Sequence, residues 1–511
     1  MVSKNPPWIA EGSSLGRGTL RLVSRFVVTV VANAAYLVIL ARLVQNAQVF
    51  GNIAILQIFE TLAIILASFA LPSAAIRFIS MLHGRREDQS ALIAQQKILQ
   101  IGLILSISAG MLTFLFANYF SLILIGTYSG VLYFKVLSVD IIFLMFSSFL
   151  TIPYYVKESY VYLSSVQMID AVLSASLSVL LFVLFRNIES VLIGWILGDI
   201  IAVSLLLYRL PKTKSTKKFV PWKTLIKDAT QLDTVAILGY FSNYWDRYVL
   251  IGYMGSFALG LYTPIISTVT YITGILGTVN QAILPRLSRK FGENGIASTR
   301  NSFFLLSRYL HFIGIPMGLG IAALSYPILM LFGGQYTAGY NSLAFIAFVL
   351  GLTVAGATYG SVLLSSGLVK HIVISYIISL PLSLVVALIT VNSIGILGIA
   401  IGRSLLFALQ FLYPLIILRI KYGFSIDLHS FAYALIASLP MILVLIVMQE
   451  IVLSVFALPI YVLGGMGVYL FSLRSLRAIN ENDFAFLTSI LPKRLKWVIK
   501  LVYRQRRFEL K

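Results

Sequence analysis

The feature that most limits what this chain can fold into is the recurrence of apolar blocks of about 20 residues that hold almost no Asp, Glu, Lys or Arg. As a helix, a block of that length matches the ~30 Å hydrocarbon core of a bilayer, whereas the apolar residues of soluble domains are interleaved with polar ones at period 2 or 3.6. With 59% hydrophobic and 11% charged residues, where soluble domains carry about a quarter charged, the chain is excluded from the soluble globular class. About fourteen spans are legible: Leu20 to Leu43, Ile53 to Ile79, Ile98 to Phe120, Phe134 to Val156, Leu163 to Phe185, Val191 to Leu210, Leu232 to Met254, Leu259 to Leu284, Phe303 to Leu324, Ser342 to Ser365, Ile372 to Val391, Ile394 to Ile417, Phe431 to Met448 and Ile451 to Phe471. The expectation is an all-α polytopic membrane protein.

The charge balance, 39 Lys plus Arg against 18 Asp plus Glu, is first a topology signal. Basic residues cluster in alternate connections, from Arg85, Arg86 and Lys97 through Lys212, Lys214, Lys217 and Lys218 to the tail after Ser472, and the other connections hold a single one, Arg186. Because Lys and Arg resist translocation, this places both termini on the cytoplasmic side, in the cytoplasmic membrane. No compact basic domain remains for a nucleic acid. Leu495, Val498, Ile499 and Val502 recur at helical spacing among the lysines of the tail, which predicts an amphipathic surface helix facing anionic lipid head groups. Zero cysteines exclude disulfides and thiolate chemistry, and His83, His311, His371 and His429 have no metal-ligand spacing, so no metal or organic cofactor is expected. There is no phosphate loop for an ATP motor.

A weak repeat relates the halves. GNIAILQIFETLAIILASFALPSAAIRFISMLHG from Gly51 and GLYTPIISTVTYITGILGTVNQAILPRLSRKFG from Gly260 share an opening glycine, a proline (Pro72, Pro285), an arginine 26 residues after the glycine (Arg77, Arg286) and a closing glycine (Gly84, Gly292). Parallel repeats of this kind place a transport site between two bundles.

The sequence resembles the oligosaccharide (polysaccharide) flippases of the multidrug/oligosaccharidyl-lipid/polysaccharide (MOP) exporter superfamily. The resemblance rests on SRFVVTVVANAAYLVILARLVQNAQVFGNIAIL (Ser24 to Leu56), DRYVLIGYMGSFALGLYTPIISTVTYITGILGTVNQAILPRLSRKFG (Asp246 to Gly292), LFGGQYTAGYNSLAFIAFVLGLTVAGATYGSVLLSSGLVKH (Leu331 to His371) and, more weakly, GILGIAIGRSL (Gly395 to Leu405). It implies two six-helix lobes around a central cavity, two extra C-terminal helices, and alternating access that carries a polyprenyl-linked glycan to the outer leaflet. On that basis residues 1–210 form the N-terminal lobe, 211–231 a basic cytoplasmic linker, 232–420 the C-terminal lobe, 421–475 the additional helices and 476–511 the basic tail. A monomer is the default.

Ionisable groups within spans are costly and face a bundle interior or a watery cavity, so each is a functional candidate. Arg21, Arg25, Thr29, Asn33 and Tyr36 fall on one face of the first span, Gln167, Asp170, Ser174 and Ser178 on one face of the fifth, and Thr263, Ser267, Thr270, Gly274, Gly277 and Gln281 on one face of the eighth. Small polar residues at such spacing also serve plain helix packing. Arg247 and Arg403 lie roughly 9 and 12 Å inside their spans at about 1.5 Å per residue. Arginine suits a lipid diphosphate because its planar fork binds phosphate oxygens and stays protonated. Arg25 is therefore expected to meet the head group on the inner side and Arg247 or Arg403 on the outer side, with Arg42 and Asn33 as further cavity candidates. The competing role for each arginine is a structural ion pair with a carboxylate such as Asp140 or Glu60. Lipid II flippases carry further arginines in the first two spans, whereas here the region after Arg25 is apolar, which argues against lipid II as cargo. Glu60, Asp140, Asp170, Asp199 and Asp246 are candidates for coupling transport to H+ or Na+. The alternative functions are a cation-coupled drug or small-molecule antiporter of the same superfamily and, third, a membrane-embedded glycan ligase or glycosyltransferase.

Overall fold

The structure, a computed structural model, describes residues 28–210, 222–295, 300–354, 356–424, 427–452 and 454–478. Among these residues every regular element is helical, and eleven helices are long and apolar enough to cross a membrane. The chain is an all-α, multi-pass membrane protein. By internal packing it forms two units, 1–263 and 264–511.

The first unit begins with α1 (Val28–Val44) and α2 (Ala47–Ser68). Asn46 starts α2: its Oδ1 accepts from the backbone N–H of Gln48 at 2.8 Å and so satisfies an orphan donor of the first turn. The expected second span is not continuous. Helix α2 ends at Ser68, Phe69 and Ala70 turn through left-handed backbone (φ 49° and 47°), and α3 (Leu71–Gly84) starts afresh. The reason is Pro72, which has no N–H for the Ser68 carbonyl and fits only a first helical turn. After α4 (Asp88–Leu115) and α5 (Ala117–Leu124), the fourth span is interrupted at Thr151, between α6 (Val131–Leu150) and α7 (Ile152–Val156); Thr151 keeps helical backbone (φ −70°, ψ −24°), and Pro153, which has no N–H for the Phe149 carbonyl, opens the second piece.

Helices α8 (Tyr160–Phe185) and α9 (Ile188–Tyr208) approach through small residues. A Cβ on Gly194 would overlap Ser178 and one on Gly198 would overlap Ser174. Such contacts let helix backbones draw close where lipid provides no hydrophobic drive. The far end of α9 is held by Tyr154 and Tyr162, whose hydroxyls donate to the carbonyls of Leu206 and Leu205, each at 2.5 Å.

The seventh and eighth spans lie in one helical run, α10 (Trp222–Asn294), with Gly255 (φ 71°, ψ −172°) as its non-helical residue. The run reverses there. Tyr262 Oη donates to Asp246 Oδ2 at 2.7 Å, although residues 16 apart in a straight helix would lie about 24 Å apart. Only glycine takes this positive φ without strain. The first arm (222–254) also meets α2, where the Tyr240 hydroxyl donates to the Ile58 carbonyl at 2.9 Å. At the start of the second arm Gly260 faces Gly51: a Cβ on Gly51 would overlap the Ser256 carbonyl, and one on Gly260 the Ala47 carbonyl. The two glycines aligned by the sequence repeat are thus in backbone contact.

The second unit comprises the rest of α10, then α11 (Arg300–Ala323), α12 (Ser325–Phe332), α13 (Tyr340–Thr353), α14 (Gly356–Ser365), α15 (Val369–Ile394), α16 (Ile396–Tyr422), α17 (Leu428–Ile451) and α18 (Leu458–Ser475). Helices α11 and α13 touch backbone to backbone at Gly318 and Gly351. The last two helices are built into this unit through a core of Phe312, Ile315, Leu319, Met441, Leu445 and Tyr461. Pro316 deprives the Phe312 carbonyl of its intrahelical donor, and Tyr469 Oη fills the vacancy at 2.8 Å. Gln449 Nε2 donates to the Ala323 carbonyl at the end of α11 at 3.1 Å.

Candidate functional site

Four carboxylates that are far apart in sequence converge in the first unit. Glu60 lies past the middle of α2, Asp140 mid-way along α6, Asp170 on α8 and Asp199 on α9. Glu60 and Asp140 are within hydrogen-bonding reach, as are Asp140 and Asp199, and Asp199 and Asp170. Asp140 is 1% exposed, Asp199 5% and Glu60 8%. The close approach of α8 and α9 creates part of this group, because Asp170 sits one turn from Ser174 and Asp199 directly follows Gly198. Ser174 Oγ donates to Asp170 Oδ1 at 3.2 Å. One turn from Asp199, Trp195 Nε1 donates to Tyr36 Oη at 3.1 Å and ties α9 to α1.

The fifth candidate, Asp246, stands apart from the four. It is fully buried, and its oxygens accept from the Arg247 backbone N–H at 2.9 Å and from Tyr262, which makes it the clasp of the reversal in α10. On the fifth-span stripe Ser174 and Ser178 pack against Gly198 and Gly194. Ser178 donates to the Val191 carbonyl, and Thr263 and Thr270 donate to carbonyls of their own helix.

Of the cationic candidates, Arg25 lies outside the described residues. Arg42 and Asn33 are exposed on α1. Arg247 is half-buried, its guanidinium carbon 4.3 Å from the centroid of the Tyr244 ring. This cation–π contact holds the guanidinium, whereas Arg77 pairs with Asp228 at 3.7 Å and His83 with Asp88 at 2.6 Å. Arg403 is 3% exposed on α16, with its guanidinium carbon 5.7 Å from the Phe407 ring. No lysine or arginine among the described residues comes within 4 Å of Glu60, Asp140, Asp170 or Asp199, so those four are not the partners of the described arginines.

Sequence reasoning passed over a tyrosine ladder on the first arm of α10. Tyr240 and Tyr244 stack at 4.6 Å between centroids, and the Tyr248 hydroxyl donates to that of Tyr240 at 2.5 Å. The signal was present in YFSNYWDRY, where tyrosines recur every four residues on either side of Arg247. In the second unit a cavity of about 280 Å³ is lined by polar Thr353, Ser375, Tyr376 and Gln410 together with Phe407 and Phe411. No group of three or more His, Cys, Asp or Glu with metal-binding geometry occurs among the described residues.

Comparison with solved structures places this arrangement in a known fold. The lipid II flippase MurJ, in an inward closed conformation, superposes with a TM-score of 0.74 at 15% identity, covering 89% of this chain and 97% of that one. An inward-facing multidrug resistance MATE transporter of the MOP superfamily gives 0.58 at 15% identity over 77% and 95% of the two chains. A MOP superfamily transporter from Pyrococcus furiosus gives 0.57 at 15% identity over 79% and 96%. The chain therefore has the fold of the MOP transporters. Among curated protein sequences nothing matches it. The family profile described as "Polysaccharide biosynthesis protein" matches residues 39–341, well over half of the chain. By that match, with the fold in agreement, the chain belongs to the polysaccharide biosynthesis protein family.

Proposed function

We propose that the protein is a flippase that moves a polyprenyl-linked glycan, joined through a mono- or diphosphate, from the inner to the outer leaflet of the cytoplasmic membrane by alternating access. The observation that carries this reading is the extent of the likeness to a lipid flippase: a TM-score of 0.74 over 89% of the chain, against 0.58 over 77% for the multidrug transporter and 0.54 over 84% for the Vibrio cholerae MATE transporter VcmN in its bent form. The integration of α17 and α18 into the second unit supports it, because these helices belong to the body of the protein. The family's link to polysaccharide biosynthesis supports a glycan as cargo. Arginines inside spans supply what an anionic head group needs in hydrocarbon. Arg247, steadied by Tyr244 and presenting planar donors, is the best-placed described residue for a phosphate. The apolar stretch after Arg25 sets the cargo apart from lipid II.

A cation-coupled small-molecule antiporter is the second reading, favoured by the likeness to MATE transporters. Flipping of a labelled polyprenyl-diphosphate oligosaccharide in proteoliposomes separates the two. Loss of one charge-assisted contact worth about 1.5–3 kcal/mol predicts roughly ten- to hundred-fold weaker cargo binding in Arg247→Ala, and a comparable loss in Arg25→Ala and Arg403→Ala. Absence of flipping by the wild type, together with proton-driven export of organic cations, would overturn the flippase reading.

A further inference from the structure

Arg247 is held by more than the ring beside it. Tyr240, Tyr244 and Tyr248 recur every four residues on the first arm of α10 and so share one face of that helix, with Arg247 about one turn after Tyr244. The guanidinium lies over the Tyr244 ring at 4.3 Å, and Tyr244 in turn stacks on Tyr240, with centroids 4.6 Å apart and planes 23° from parallel. Tyr240 is the fixed end of this series. It is 3% exposed, and its hydroxyl donates at 2.9 Å to the carbonyl of Ile58 on α2, 182 positions away in sequence. Because its single proton is used there, Tyr240 accepts from the Tyr248 hydroxyl, so the tyrosines on both sides of Arg247 are fastened to the same residue.

The backbone under Arg247 is fixed separately. Asp246 accepts from the Arg247 N–H at 2.9 Å and from Tyr262, on the second arm of α10, at 2.7 Å. That clasp sets where the residue starts, but it does not set where so long a side chain ends. An unsupported arginine samples many rotamers, and ordering it when a ligand arrives weakens binding. The stack on Tyr244 and Tyr240 orders the guanidinium beforehand, and the bond to Ile58 refers its position to a second helix.

We propose that Tyr240 is a positioning residue for the cargo: acting through the Tyr244 ring, it fixes the Arg247 guanidinium relative to α2. Tyr240 itself touches no phosphate. A step that shifts α2 against the first arm of α10 breaks the Tyr240–Ile58 bond and withdraws the support of the guanidinium, so affinity for an anionic head group changes with the position of α2. A buried tyrosine between two helices also serves plain packing, but loss of packing loosens every side chain nearby, whereas loss of this relay acts on Arg247. The bearing on cargo binding rests on the flippase reading above; the placement of the guanidinium does not.

The test is modification of the full-length protein in lipid nanodiscs by phenylglyoxal, which reacts with guanidinium nitrogens, read peptide by peptide by mass spectrometry. Arg247 is expected to react several-fold faster in Tyr240→Leu than in the wild type, and at an intermediate rate in Tyr240→Phe, which keeps the stacked ring and loses the bond to Ile58. Arg42, exposed on α1, and Arg403, buried on α16, are expected to keep their wild-type rates. An unchanged Arg247 rate in either variant would overturn the proposal, as would a rise shared by all three arginines, which is the mark of lost packing. Tyr240→Phe preserves the ring and is decisive even where Tyr240→Leu does not fold. In proteoliposomes Tyr240→Phe is expected to raise KM for a labelled polyprenyl-diphosphate oligosaccharide roughly two- to ten-fold with little change in kcat, and to add nothing in an Arg247→Ala background. Equal losses in both backgrounds would overturn the role in cargo binding. A wild type that flips no glycan fails the flippase reading, and the modification rates still decide the positioning.

Discussion

The contact between Gly51 and Gly260 makes a prediction whose size follows from the structure. Replacing a helical glycine with alanine ordinarily stabilises a helix by about 1 kcal/mol. At Gly51 the added carbon would overlap the Ser256 carbonyl oxygen, which belongs to backbone and cannot swing aside. A carbon and a carbonyl oxygen settle at about 3.3–3.6 Å, so α2 and the second arm of α10 must separate by on the order of an ångström. Overpacking of this kind costs about 1–3 kcal/mol, and a net loss of roughly 1–2 kcal/mol remains after the propensity gain. Gly260→Ala strikes the same contact from the other side, against the Ala47 carbonyl. Because one separation relieves both overlaps, the double variant is expected to lose less than the sum of the singles, with a coupling of about 0.5 kcal/mol or more. Gly239→Ala, on the same α10 run with open space around it, is the control and is expected to be neutral or stabilising. Thermal unfolding of the purified proteins in one detergent, followed by intrinsic fluorescence, reads all four variants against the wild type. A Gly51→Ala protein as stable as Gly239→Ala, or strictly additive losses in the pair, would refute the contact.

Three further outcomes are expected. Tyr262→Phe removes a 2.7 Å hydrogen bond to the buried Asp246 carboxylate and should lower stability by about 1.5–3 kcal/mol in the same assay, whereas Tyr253→Phe, on an exposed ring, should not. Tyr469→Phe leaves the Phe312 carbonyl without its donor and should cost about 1–3 kcal/mol, with limited proteolysis cutting first near α17 and α18; an unchanged digest would count against the role of that bond. Arg247→Lys keeps the charge but loses the planar stack on Tyr244, so cargo affinity should fall between those of the wild type and Arg247→Ala, and full retention would show that a point charge suffices.

Sequence reading reached the fold class because hydrocarbon allows few solutions: a long apolar block has to be a helix, and its length is set by the bilayer. It expected about fourteen spans, of which the described residues show eleven helices long enough to cross, and it missed the interruptions at Ser68 and Thr151. Pro72 and Pro153 are plain in the sequence, but averaged hydropathy does not register a missing N–H. For the candidate site it found each buried carboxylate singly and could not sort them. Positions 60, 140, 170 and 199 meet only because α2, α6, α8 and α9 pack together, which is tertiary information, whereas Asp246 is taken up by a reversal at Gly255. The Ser174 and Ser178 stripe was legible as polar, but its use as a groove for Gly194 and Gly198 required the partner helix.

The bond from Tyr469 to the Phe312 carbonyl also bears on biosynthesis. The ribosome makes residue 312 well before residue 469, 157 positions later, so α11 enters the membrane with a carbonyl group that its own helix has left open at Pro316. Until α18 emerges and docks, that oxygen lies in hydrocarbon or against a temporary donor. Completion of the second unit is thus a late event that depends on α18, and a nascent chain halted before it carries a mark that membrane quality control can recognise.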